Sequence, residues 1–129
     1  MPEKFLTMKL LKEKYGVCSL NKEDAIPEWA QCARFYSITK TMDELSVVCP
    51  QDCIPGNIKC EKEWRIIKVE GPLDFSLIGI LASISTILAN SGISIFAVST
   101  YDTDYILVKE KDITNAIDSL TAENYKILS

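Results

Sequence analysis

Two hydrophobic periodicities, one typical of strands and one of helices, follow each other from residue 64 onward. Trp64–Glu70 is rich in β-branched residues and predicts a strand. Apolar residues then recur at helical spacing over residues 77–88, with Asp74 or Ser76 as the candidate N-cap. Gly92 follows as the expected C-terminal glycine, so the pattern predicts one strand and one helix in this stretch.

The remaining sequence continues the same alternation. Ile93–Thr100 and Tyr105–Lys109 predict two strands, joined by the polar turn Tyr101–Asp104. Asp112 is the candidate cap of a second helix, and Tyr125–Leu128 predicts a last strand. The order β-α-β-β-α-β is the ferredoxin-like arrangement, in which right-handed crossovers place both helices on one face of an antiparallel sheet. The predicted fold class is therefore α+β.

The first half is β-rich and less regular. Its first two predicted strands form a hairpin around Glu13-Lys14, and Pro27 begins a short helical turn. Pro50–Glu63 is interpreted as the connection between the halves. The predicted strands of this half are residues 5–12, 15–20, 34–39 and 45–49.

A weak internal repeat relates the two halves. Phe35–Val48 parallels Phe96–Val108 with one extra residue, because both run from an aromatic residue through polar positions and an acidic turn into an aliphatic strand. Chance similarity between two hairpins is the alternative. If the repeat is real, the chain contains two related units side by side. Residues 1–60 would form a degenerate, β-rich unit, and residues 61–129 a complete βαββαβ unit.

The composition argues against several classes of function. The 129 residues are 47% hydrophobic and 25% charged, which is typical of a globular protein. A net charge of −4 without a basic cluster argues against nucleic-acid binding. Polar residues interrupt the long weakly charged run from Phe75 to Tyr101, so no membrane span is expected. The first residues show no export signal, and a cytoplasmic location is expected.

The cysteines predict neither a disulfide framework nor a clear metal site. Five cysteines are an odd set, and reduced thiols are the expectation for a cytoplasmic chain. The cluster Cys49, Cys53 and Cys60 suggests zinc, but its spacing is not that of a standard zinc ribbon and the chain has no histidine. Ordinary thiols are favoured, with no metal and no cofactor.

Candidate chemistry concentrates in the turn Tyr101–Asp104. Its two carboxylates and two hydroxyls fit either a hairpin turn that satisfies its own backbone or one side of a ligand site. Gly79 lies early in the first predicted helix, where glycine costs roughly 1 kcal/mol relative to alanine, which suggests close packing or ligand approach. An enzyme is not expected, because the sequence has no histidine, no nucleophile-base pairing and no phosphate-binding loop.

Several segments resemble the ACT-domain superfamily, in particular small tandem ACT-like proteins related to the cytosolic arginine-sensor (CASTOR) family. The resemblance rests on Glu70–Phe75, the helix over Gly79–Leu88, Ser99–Val108 and, in the first half, Phe35–Ile38 and Glu44–Val48. ACT domains are small-molecule sensors, commonly of amino acids, that bind at interfaces between paired domains. The chain departs from the arginine sensors in having one pair of units rather than two.

The resemblance implies a non-catalytic regulatory protein that binds an amino acid at the interface between its two ACT-like units. The alternative is a ligand-free oligomerisation or protein-interaction module. Ser83, Ser85 and Thr86 leave the outer helix face small and uncharged, so that face is expected to be buried against the first half or a second subunit, as in a homodimer. The ligand-binding residues carried over from the family are Ser46, Val47, Ile78, Gly79, Ile80, Tyr101, Thr103 and Asp104.

Overall fold

The computed structural model describes residues 6–70 and 79–129, which divide into two compact units. The helical unit comprises the described residues up to Lys12 together with those from Arg65 onward, and the cysteine-rich unit is Glu13–Trp64. The elements in chain order are β1 (Thr7–Leu20), β2 (Ser37–Lys40), β3 (Leu45–Pro50), β4 (Cys60–Val69), α1 (Ile80–Asn90), β5 (Ile95–Ser99), β6 (Asp104–Lys109), α2 (Ile113–Ala122) and β7 (Lys126–Leu128).

The helical unit has the predicted succession β4-α1-β5-β6-α2-β7 and a ferredoxin-like α+β fold. Its strand order is β7-β1-β4-β6-β5, and β1 contributes residues 7–12. β7 runs parallel to β1, with Thr7 opposite Lys126 and Lys9 opposite Leu128. β1 therefore lies between β7 and β4, so the sheet includes residues from the start of the chain. The predicted domains, residues 1–60 and 61–129, stay a prediction.

Both helices pack on one face of this sheet and form its core. Strand residues two positions apart point to the same face, as Ile67 and Val69 of β4 and Ile106 and Val108 of β6 do. Each such buried side chain stabilises the fold by about 1.5–3 kcal/mol. The helix residues buried against them are Ile84, Leu88, Ile113, Ala116 and Leu120.

The cysteine-rich unit contains β2, β3, residues 13–20 of β1 and residues 60–64 of β4. β3 pairs antiparallel with both β1 and β2. Two single-turn 3₁₀ helices, Glu28–Gln31 and Gln51–Cys53, complete the unit. In the described parts of the chain, no helix is long and apolar enough to cross a membrane.

The predicted hairpin of residues 5–12 and 15–20 is wrong over its described residues. Residues 7–20 form one continuous strand. Glu13-Lys14 supplies no residue that favours a turn, and Lys14 instead forms an ion pair with Glu63, at 3.1 Å between Lys14 Nζ and Glu63 Oε1. β4 also begins earlier than predicted, at Cys60 rather than Trp64, which shortens the connection between the halves.

The predictions for the cysteines and for the helix caps have different outcomes. Cys32 and Cys53 form a disulfide, with Cα atoms 6.8 Å apart, so the expectation that all five thiols are reduced is wrong for this pair. Sequence separation, 21 residues here, does not reveal such a pairing, because the fold brings the two turns together. The predicted caps Asp74 and Ser76 lie outside the described residues. Asp112 occupies the N-cap position of α2 as predicted, but its side chain makes no capping hydrogen bond.

Candidate functional site

The turn between β5 and β6 is closed by its own hydrogen bonds. The Thr100 amide donates to the Thr103 carbonyl at 2.8 Å, and the Thr100 hydroxyl donates to the same oxygen at 3.1 Å. The Thr103 amide in turn donates to Thr100 Oγ1 at 3.3 Å. A threonine that bonds the backbone three residues ahead is a local turn motif, and it positions the candidate residues of this loop.

Three predicted site residues lie in or directly after this turn, but their surroundings differ. Thr103 is only 6% exposed, and its hydroxyl donates to the Val69 carbonyl at the end of β4. Asp104 is half-buried and accepts a 2.6 Å bond from Ser99 Oγ. Tyr101 is 81% exposed at the tip. The structure therefore brings these three together, and it uses the Thr103 hydroxyl to attach the turn to the sheet.

The turn between β2 and β3 has the same construction. The Thr41 amide donates to the Glu44 carbonyl at 2.9 Å, and Thr41 Oγ1 accepts from the amides of Asp43 and Glu44 at 3.0 Å each. Met42, 87% exposed, occupies the position that Tyr101 has in the other turn. Since Lys40 pairs with Leu45 and Ser99 pairs with Asp104, both hairpins have a four-residue connection.

The start of α1 provides a different kind of candidate surface. Gly79 is the N-cap residue with φ +80°, a left-handed conformation that glycine adopts without steric cost. A Cβ built on Gly79 meets no atom of the described structure within 4 Å, and none of the described side chains caps the helix. Ile80 follows as the first helical residue and packs on the core. Ile78 lies outside the described residues.

Ser46 and Val47 lie in the middle of β3, in the cysteine-rich unit. Val47 is fully buried in that unit's core, and it lies between Cys18 of β1 and Ile38 of β2, so β3 is paired on both sides at this position. Ser46 is half-buried and pairs with Ser19 of β1 and Thr39 of β2.

The sequence reasoning missed Ser99 and Thr100, which position the turn. The sequence did contain a signal for this turn, because β5 ends with Ser99 and the next residue is Thr100. An isolated Ser-Thr pair is, however, common in strands. Within residues 6–70 and 79–129, no group of three or more cysteine or acidic side chains could hold a metal ion.

The βαββαβ unit with both helices on one face defines an α+β domain of the ferredoxin-like class. A family model of the ACT domain matches residues 59–122, and a model of an N-terminal domain matches residues 13–57. The chain belongs to the ACT-domain superfamily and is related to the cytosolic arginine sensors.

Curated relatives include subunit 1 of the cytosolic arginine sensor for mTORC1. The Bos taurus protein is 27% identical over 109 residues, which cover 76% of this chain and 33% of that protein. The Homo sapiens protein is 40% identical over 58 residues, which cover 44% of this chain and 18% of that protein. The chain thus spans a third or less of the length of these relatives.

Solved structures extend the comparison. Protein Atu0741 from Agrobacterium tumefaciens has a TM-score of 0.92 and 38% identity, covering 98% of this chain and 94% of that one. The aspartate kinase of Clostridium acetobutylicum has a TM-score of 0.68 at 14% identity, covering 88% of this chain and 33% of that one. At that identity the kinase shows the shared fold alone.

Proposed function

We propose that this protein is a non-catalytic, cytoplasmic regulator that binds an amino acid at the interface between two ACT-like units, which are predicted at residues 1–60 and 61–129. Membership of the ACT-domain superfamily supports the proposal, as does the relation to proteins named as arginine sensors. The ligand-binding residues proposed are Ser46, Val47, Ile78, Gly79, Ile80, Tyr101, Thr103 and Asp104.

The observation that carries the proposal is the N-terminus of α1 at Gly79, as residues 6–70 and 79–129 define it. The first backbone N–H groups of a helix have no partner within the helix, and the helix dipole favours negative charge at this end. In the part of the chain that the structure describes, no atom beyond the chain neighbours lies within 4 Å of the place where Gly79 would carry a Cβ, and Gly79 has no side chain to cap the helix. A ligand carboxylate could therefore approach the backbone directly, as anions do at helix N-termini.

Asp104 is the candidate partner for the ligand ammonium group. Ser99 Oγ donates to Asp104 Oδ1, which fixes the orientation of the carboxylate. A carboxylate accepts through both oxygens, so a ligand ammonium could bind at Oδ2. The contribution proposed for Thr103 is to hold Asp104 in place through its bond to the Val69 carbonyl.

A thermal-shift panel of the twenty amino acids tests the proposal. A ligand that binds only the folded state stabilises it by about 2.7 kcal/mol at a hundredfold excess over Kd. Asp104→Asn should abolish the shift, because it removes the charge while an amide oxygen can still accept from Ser99. Asp102→Asn is the matched control, since Asp102 is an exposed acid of the same turn. If no amino acid raises the melting temperature, or if Asp104→Asn keeps the full shift, the proposed site is wrong.

The alternative is a ligand-free module that oligomerises, in the first instance as a homodimer. One observation favours it: Ala82, Thr86 and Ala89 leave an exposed, uncharged face on α1, where a solvated helix ordinarily carries charge. Multi-angle light scattering of the wild type and of Ala89→Glu would separate the two cases. A dimer that Ala89→Glu converts to a monomer supports the module.

A further inference from the structure

The five cysteines of the chain all lie in the cysteine-rich unit. The Cys32–Cys53 disulfide joins the ends of its two 3₁₀ turns, because Cys32 directly follows Glu28–Gln31 and Cys53 ends the Gln51–Cys53 turn. Cys32 is exposed and Cys53 is half-buried. Cys32 is therefore the more exposed residue of the disulfide.

The other three cysteines lie on neighbouring strands. Cys49 of β3 is opposite Gly16 of β1, so Cys49 and Cys18 point to the same face, and both are fully buried. Cys60 of β4 is half-buried, and its side chain also reaches Cys18. The Cys18–Cys49 hydrogen bond raises the pKa of the Cys18 thiol and lowers that of Cys49, so Cys49 is the more easily ionised of the pair.

Two of the residues that complete the core around these thiols come from the two segments that the disulfide joins. Cys18 and Cys49 pack with Ala30, Val47 and Ile54. Ala30 lies in the Glu28–Gln31 turn, two residues before Cys32, and Ile54 directly follows Cys53. The disulfide therefore connects the two pieces of chain whose buried side chains cover the thiol pair.

Besides the disulfide, hydrogen bonds of Gln51 hold the segment that contains Ile54. Gln51 Nε2 donates to Glu63 Oε2 and Gln51 Oε1 accepts from the Glu63 amide, each at 2.8 Å. The methyl end of Ile54 also lies against Gly16, where an added Cβ would come within 2.4 Å of Ile54 Cδ1. Loss of the disulfide should therefore release mainly the Glu28–Gln31 turn with its buried Ala30.

We propose that the Cys32–Cys53 disulfide is a redox-controlled clasp that shields the Cys18–Cys49 thiol pair. The reductant is a dithiol. One of its thiolates attacks the Cys32 sulfur, the disulfide breaks, and Cys53 leaves as a thiolate that takes a proton. The second thiol of the reductant then displaces Cys32 from the mixed disulfide, which leaves two cysteine thiols and an oxidised reductant. The opened turn makes Cys18 and Cys49 available to modification.

Differential alkylation of the full chain tests the clasp. Iodoacetamide pulses followed by peptide mass spectrometry give the labelling rate of each cysteine, with and without dithiothreitol. With the disulfide intact, Cys60 should label first, and the rates at Cys18 and Cys49 should rise about tenfold or more on reduction, as expected for a local opening. Cys60→Ser, which keeps the disulfide, is the control: whatever its effect on the absolute rates, the rise in both rates on reduction should persist.

The double variant Cys32→Ser/Cys53→Ser should show the fast rates without reductant. Hydrogen exchange in α2, which belongs to the helical unit, distinguishes local opening from unfolding. Unchanged protection of α2 together with fast labelling supports the clasp. Equal labelling rates before and after reduction overturn it, as does loss of α2 protection in both the variant and the reduced wild type. Peptide maps that show Cys32 and Cys53 as thiols after treatment with oxidised glutathione also overturn it.

Discussion

Thr103→Val should destabilise the protein because it removes a buried hydroxyl without changing the shape of the side chain. Thr103 is 6% exposed, and its hydroxyl donates to the carbonyl of Val69, itself a fully buried residue. The variant leaves that carbonyl without the threonine donor. An unsatisfied buried polar group costs about 1–3 kcal/mol, so we expect the free energy of unfolding to fall by this amount.

Thr103→Ser is the matched control. It keeps the hydroxyl and loses one methyl group, which costs about 0.8 kcal/mol. Urea unfolding followed by circular dichroism measures both variants under the same conditions. If the hydrogen bond dominates, the valine variant is the less stable of the two, whereas dominance of packing gives the reverse order.

The result that refutes the reasoning is a valine variant within about 0.5 kcal/mol of the wild type, the scatter of ordinary surface substitutions. The Thr103 hydroxyl would then be dispensable to the fold and available to a ligand. The measurement thus also tests which role this residue has in the proposed site.

Three other predictions concern packing, backbone and pH. Gly16→Ala should lower the free energy of unfolding by about 1–3 kcal/mol, because the added methyl group overpacks against Ile54. Adding Ile54→Val should recover part of this loss. If the effects of the two substitutions on the free energy of unfolding simply add, the explanation is wrong. Gly92→Ala should lower the free energy of unfolding by about 1–2 kcal/mol, because Gly92 has a φ of +75°, which is unfavourable for a residue with a Cβ. An unchanged unfolding midpoint would show that the backbone relaxes. In Cys32→Ser/Cys53→Ser, Cys49 should be alkylated at lower pH than Cys18, because the pKa of Cys49 is lowered and that of Cys18 is raised. Coincident pH profiles of the two alkylation rates would contradict this order of pKa values.

The helical unit was predictable because each of its elements carries a local signal. Residues 113–120 have apolar residues at helical spacing, and α2 follows from them. The hairpin of β5 and β6 follows from alternation on both sides of an acidic turn. These patterns are short in sequence range, so they are visible without knowing what the segment packs against.

Long-range pairings were not predictable in the same way. Nothing local distinguishes Glu13-Lys14 as strand, since Lys14 is held by Glu63 from 49 positions away. The Cys32–Cys53 pairing depends on two turns that the fold brings together. The positive φ of Gly79 is likewise not specified by the sequence, although glycine itself permits it.

The parallel pairing of β1 with β7 has a consequence for synthesis of the protein on the ribosome. Thr7 and Met8 leave the ribosome well before their partners Lys126 and Ile127, which follow more than a hundred residues later in the chain. The sheet of the helical unit therefore cannot close until β7 has been synthesised, and one edge of β1 lacks its strand neighbour until then. Such long-range pairings slow folding and expose strand edges to aggregation. Deletion of residues 126–128 should accordingly lower the soluble yield of the whole chain.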